Sequence, residues 1–166
     1  MRRELNTKSM RLKITSFLFL VTILYFFSCG EKPSNTPFVE FVSVSKNYMV
    51  QGGVDSLYLK FKFTDGDGNI GSDTSDNIFV SDSRTGAVIA SYKLPNYTGN
   101  NTNNTSRTGE ITLIIYSQCC IYDNGTSCQP STAEPTKNMR YEVQVVDQTG
   151  NYSNIMQTDE IVLECN

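Results

Sequence analysis

The residues best able to do chemistry sit in one glycine-rich stretch, positions 63–71, which reads FTDGDGNIG. Alternating acids and glycines put Asp65, Asp67 and Asn69 on one side of a tight turn, where their oxygens can converge on a hard cation such as Ca2+. Asp73 or Asp76 can complete such a set. The loop is not an EF-hand. Started at Asp65, it has Ile70 where glycine is required; started at Phe63, it lacks a first ligand and carries Thr74 at the place of the bidentate acid. The same residues also suit a plain turn, since Asp, Asn and Gly supply side-chain turn bonds and positive φ. A hydrolase would need a carboxylate pair in a cleft, such as Asp65 and Asp67. Two acids so close on a water-exposed glycine loop have little to raise a pKa. The chain has no histidine, which removes the commonest general base and every Ser-His-Asp or Cys-His arrangement. No catalytic residue is expected, and Ca2+ is the one cofactor the sequence suggests.

Cys29 is the other chemically informative residue. Residues 1–13 are basic, residues 14–27 (ITSFLFLVTILYFF) are apolar apart from Thr15, Ser16 and Thr22, and Ser28-Cys29-Gly30 follows. This is the layout of a secretory signal. The run is shorter than the roughly 20 residues of a membrane-spanning helix. A cysteine after a small residue at the end of such a run resembles the lipobox of bacterial lipoproteins. Phe26 and Phe27 suit the looser form found in the Bacteroidota. The resemblance implies cleavage before Cys29, diacylglycerol on its sulfur and acylation of its amine. Two or three acyl chains hold a protein firmly on a bilayer. The expected organisation is a signal peptide over 1–28, a lipidated tether over 29–37 and one folded domain over 38–166. The expected address is the cell envelope, as an outer-membrane lipoprotein with the lipid bilayer as its first partner.

Five cysteines are odd for an exported chain. With Cys29 lipidated, Cys119, Cys120, Cys128 and Cys165 remain, enough for two disulfides. A bridge between the adjacent Cys119 and Cys120 is strained. That leaves Cys119–Cys128 with Cys120–Cys165, or the reverse. A thiolate metal site would want a C-x2-C knuckle or a histidine, and neither is present.

These groups must be positioned by strands. Period-2 alternation and β-branched runs mark 38–45, 56–64, 77–81, 87–94, 110–117, 141–147 and 160–165, and no helix is expected beyond the leader. In 56–64, Leu57, Leu59, Phe61 and Phe63 share one face, with Tyr58, Lys60 and Lys62 on the other. Residues 118–138 read as a long loop stapled by the cysteines. About seven short strands with Gly, Asn and Asp turns argue for an all-β antiparallel sandwich. The pattern of Tyr141, Val143, Val145, Asp147, Gly150, Asn151 and Ser153 resembles the final hairpin of immunoglobulin-like and fibronectin type III-like domains. An Ig-like β-sandwich is therefore the expected fold.

Cys29, FTDGDGNIG, Cys119-Cys120 with CQPST at 128–132, and VVDQTGNYS together resemble a family of small Bacteroidota lipoproteins. That family has no established activity, so the likeness implies address and fold. The charge agrees with a non-nucleic-acid role. Taking the leader's five basic residues and one acid from totals of 14 and 17 leaves 9 basic and 16 acidic residues, a net of −7. So acidic a body has no footprint for nucleic acid. The expected function is a non-catalytic, membrane-anchored module that binds a protein or glycan partner. The alternative is a structural accessory subunit of an envelope secretion or uptake complex.

Overall fold

A computed structural model describes residues 33–96, 106–123 and 127–165. The leader, Cys29 and the first half of the expected tether lie outside the described residues. Ten strands follow in chain order: β1 (Phe38–Val44), β2 (Tyr48–Val50), β3 (Ser56–Asp65), β4 (Ile78–Asp82), β5 (Val88–Tyr92), β6 (Arg107–Tyr116), β7 (Thr136–Met139), β8 (Tyr141–Val145), β9 (Met156–Gln157) and β10 (Ile161–Glu164). No helix occurs among the described residues.

The strands form a sandwich. One sheet has the order β1-β3-β6, a second β5-β4-β8-β9, and a short third β2-β10-β7. Ten strands in three sheets make an all-β sandwich, with three strands more than the seven expected. All pairings are antiparallel except β10 with β2. Alternation dictates which face is dry. Along β3, Leu57, Leu59 and Phe61 are buried, while Tyr58 and Lys62 point outward. On the opposing sheet Ile78, Val80, Tyr141, Val143 and Val145 are buried, and both sets belong to one core cluster. Fully burying each such side chain contributes roughly 1.5–3 kcal/mol. Tyr141 is the largest of them. Its hydroxyl donates to the Tyr116 carbonyl at 3.1 Å, which satisfies the one polar atom it takes inside.

β3 and β6 are the longest strands, each of ten residues, and they pair over their whole length from Ser56↔Tyr116 to Asp65↔Arg107. At roughly 3.3 Å per residue this ladder is about 30 Å long. Its two ends carry the features that matter for function.

At the Ser56 end lie the cysteines. Cys119 bonds Cys128 and Cys120 bonds Cys165, with Cα separations of 4.6 and 5.8 Å. Cys120 and Cys165 are buried in the core, whereas Cys128 is exposed. Consecutive residues of extended chain face opposite ways. The paired cysteines therefore serve two different partners, and of the two pairings that arithmetic leaves open the observed one joins the buried Cys120 to the buried Cys165. The connection that follows is not all loop, because β7 pairs with β10.

Candidate metal centre at the end of the long strand

The acidic loop begins where β3 ends. Asp65 is the last residue of β3, and it is buried with no exposed surface. Its Oδ2 accepts the Ile70 N–H at 2.8 Å, which closes the loop back on the strand end. Its Oδ1 has no hydrogen-bond partner among the described residues. Asp67 is partly exposed. It accepts the Asn69 N–H at 3.4 Å and the Asn69 Nδ2–H at 3.1 Å. The Asn69 Oδ1 is buried and likewise without a partner among the described residues.

Ile70 then forms a β-bridge with Asp147, the second residue after β8. This bridge brings a third acid to the loop. Ligand oxygens of Asp65, Asp67 and Asp147 all lie within 4.8 Å of one another. Asp147 is buried and organises its own turn. Its Oδ1 accepts the Thr149 N–H at 2.9 Å, the Thr149 hydroxyl at 2.9 Å and the Asn151 N–H at 2.8 Å. Its Oδ2 accepts, among the described residues, only the Asn151 Nδ2–H, at 2.8 Å. The two turns are stitched together, with the Gln148 N–H donating to the Asn69 carbonyl at 3.4 Å.

The acids are not electrostatically alike. Burial pushes the Asp65 carboxyl up to about 6; the Ile70 N–H opposes this, and the nearby Asp67 and Asp147 add to the rise. Burial also acts to raise Asp147, but hydrogen bonds from Asn151 and Thr149 outweigh it and hold the group below its ordinary value. The expectation that both loop acids stand in water is thus corrected at Asp65. Arg107, its register partner across the ladder, donates from Nη1 to the Ile70 carbonyl at 3.3 Å.

Asp73 and Asp76 do not join the cluster. After Ile70 the chain crosses to β5, with the Ser72 N–H on the Leu94 carbonyl at 2.8 Å and the Asn77 N–H on the Tyr92 carbonyl at 3.0 Å. Asp73 there accepts the Asn96 N–H at 3.2 Å, and Asp76 accepts the Ser91 hydroxyl at 2.5 Å; both acids are exposed. The residue that spacing within the loop could not supply is Asp147. Its signal was the second Asp–Gly–Asn turn motif, VVDQTGNYS, which resembles the first in composition.

An all-oxygen set of this kind suits a hard cation better than acid–base chemistry. Comparison with protein-family models, curated proteins and solved structures finds no match.

Proposed function

We propose that the chain is a membrane-anchored envelope lipoprotein whose sandwich presents a binding surface and carries out no reaction. One observation supports the display role above the rest. On the outer face of the β3–β6 ladder, Tyr58 stands opposite Ile114 and Tyr116 lies one pair further along. These three side chains are 56%, 46% and 61% exposed. Exposed aromatics beside an aliphatic residue stack on sugar rings or anchor a protein partner. They lie toward the disulfide end, whereas the chain enters the domain at the acidic end, where the Gly66 N–H donates to the Ser34 carbonyl at 2.8 Å. Cys29 precedes Pro33 by four residues in the sequence. The described chain thus enters at the end of the ladder away from the tyrosine face.

Burial of Asp65 supports a non-catalytic reading. A fully enclosed acid cannot reach a glycosidic oxygen, and its nearest acids are closer than the roughly 5–9.5 Å spacing of glycosidase pairs.

Two measurements test this reading. Wild-type protein should fractionate with membranes and Cys29→Ser should not; identical soluble behaviour of both rejects the anchor. Retention of the full-length protein on immobilised bacterial envelope glycans, or a cross-link to an envelope protein, should fall at least tenfold in Tyr58→Ala with Tyr116→Ala at unchanged melting temperature. Unaltered retention rejects the tyrosine face, and turnover of the glycan rejects the non-catalytic reading.

A further inference from the structure

We propose that Asp65, Asp67 and Asp147, with the Asn69 side-chain oxygen, hold one Ca2+ ion that joins the β3–β4 loop to the turn after β8. Two observations carry this. First, carboxylates from segments 80 residues apart in sequence place their oxygens within 4.8 Å of one another. Second, the Asp65 side chain is fully buried, yet its Oδ1 has no partner among the described residues, and the Asn69 Oδ1 of the same loop is in the same state. Burying a carboxylate on a single hydrogen bond is unfavourable unless a charge compensates it.

A turn alone does not account for this arrangement. The side-chain bonds that shape the turns come from Asp67 and Asp147. Asp65 offers only Oδ2 to the loop, and its other oxygen has no role in the turn. Asp147 also retains capacity for a cation, because its Oδ2 accepts one hydrogen bond where a carboxylate oxygen can take about two.

The chemistry selects Ca2+. Calcium–oxygen bonds of about 2.3–2.6 Å place ligands across the ion up to about 5 Å apart. The carboxylate oxygens fall within that span. The cluster has no sulfur or imidazole, which disfavours zinc and copper. Mg2+ requires a tighter octahedron, and the bonds fixing Asp147 resist such contraction. Water or a further oxygen from outside the cluster fills the remaining positions, which makes the site of the weak extracellular kind, with Kd of roughly 0.1–1 mM.

The test is calorimetric titration of oxidised full-length protein in detergent with CaCl2, alongside thermal unfolding in chelator and in about 10 mM Ca2+. One ion per chain is expected. At that Kd the folded-to-unfolded ratio rises about 10–100-fold, or several degrees in melting temperature. Asp67→Asn keeps the shape of a partly exposed residue and should weaken binding at least tenfold without unfolding the domain. Asp65→Asn should do the same, and it provides a second variant should the first fold poorly. Asp73→Asn with Asp76→Asn should bind Ca2+ as wild type does. The proposal is overturned if folded wild type takes up no Ca2+ at millimolar concentration. It is also overturned if Asp67→Asn and Asp65→Asn bind unchanged, or if the Asp73/Asp76 pair abolishes binding.

Discussion

At its Ser56 end the long β3–β6 ladder runs into segments tied by two disulfides, whereas at its Asp65 end it meets two turns joined by a bridge and a cluster of carboxylates. Both ends face the same difficulty. Strands stop there, backbone groups lose their ladder partners, and irregular chain must still be fixed in place. The cysteine end is fixed covalently and densely bonded. The Cys120 N–H donates to Gln51 Oε1 at 3.0 Å, and Gln51 Nε2 donates to the Gln129 carbonyl at 3.2 Å. Arg84, paired with Asp82, donates to the Cys119 carbonyl at 2.9 Å. The acidic end instead concentrates like charge and leaves two buried oxygens without a partner among the described residues, where the cysteine end leaves one buried nitrogen, Arg84 Nη1. Stability at one end is expected to follow redox state, and at the other pH and, on the proposal above, Ca2+. Each end can therefore be perturbed without touching the other.

The largest expected effect is at the cysteine end. Cys120 and Cys165 are 45 residues apart, and on loop-entropy grounds their bridge contributes about 4 kcal/mol. The Cys119–Cys128 bridge spans 9 residues and contributes about 2.5 kcal/mol on the same grounds. Replacing both cysteines of a pair by alanine and measuring denaturant unfolding should reproduce that order. If the short bridge proves the more important, the closure is enthalpic and the contrast between the ends needs another basis.

The acidic end gives the next effect, and its sign depends on conditions. In chelator the folded-state pKa of Asp65 stands near 6, against an ordinary value of 3.8. The native state then binds the extra proton between those values, so stability is full below about pH 4 and falls as pH rises to about 6. The loss is up to about 3 kcal/mol for this buried group. Asp65→Asn should flatten that profile and be the more stable protein at pH 7 in chelator. In about 10 mM Ca2+ the gap should narrow, because only wild type gains the roughly 10–100-fold stabilisation by the ion. Unfolding curves at pH 4 and pH 7 with and without ion check both signs. Equal stability of the two proteins in every condition would remove the electrostatic contrast between the ends.

A smaller effect is expected where the chain enters the domain. A Cβ on Gly66 would stand 2.2 Å from the Pro33 carbonyl oxygen and 2.3 Å from that of Ser34. Backbone on both sides must shift, so Gly66→Ala should destabilise by about 1–3 kcal/mol. It should also weaken Ca2+ binding, because Gly66 lies between two of the acids. A melting temperature equal to that of wild type would show that residues 33–34 are free to move from this end.

These contrasts explain what the sequence could disclose. All seven expected strands are present because each carries its own alternation or β-branched run, as in β3 and in the buried Tyr141, Val143 and Val145 of β8. The three further strands have no such signal. β2 and β9 have 3 and 2 residues, and β7 is the polar run Thr-Lys-Asn-Met, made a strand by its pairing with β10. The candidate site was legible in part for the same reason. Asp65, Asp67 and Asn69 are neighbours in sequence, and local turn geometry groups them. Asp147 joins them through one long-range bridge to Ile70, and Asp73 and Asp76 are drawn off by bonding near β5. Contacts set by strand register leave no local trace that spacing rules can find.

The smallest expected effect returns to the cysteine end and tests whether its polar bonding matters apart from sulfur. Tyr141→Phe removes the hydroxyl that donates to the Tyr116 carbonyl at 3.1 Å while keeping the ring that fills the core. A net loss of about 0.5–1 kcal/mol is expected, since one hydrogen bond is lost while the carbonyl keeps the Gln118 Nε2–H at 3.0 Å. The effect should carry its own pH signature. Burial, the largest influence, raises the Tyr141 pKa above its ordinary value of 10.0. The native state therefore holds a proton that the unfolded chain releases, and wild-type stability should fall as pH rises above about 10. Tyr141→Phe should lose that part of the alkaline decline. If the variant declines as steeply as wild type, titration of another group governs the alkaline limb, and the Tyr141 hydroxyl contributes nothing to the pH dependence of the cysteine end.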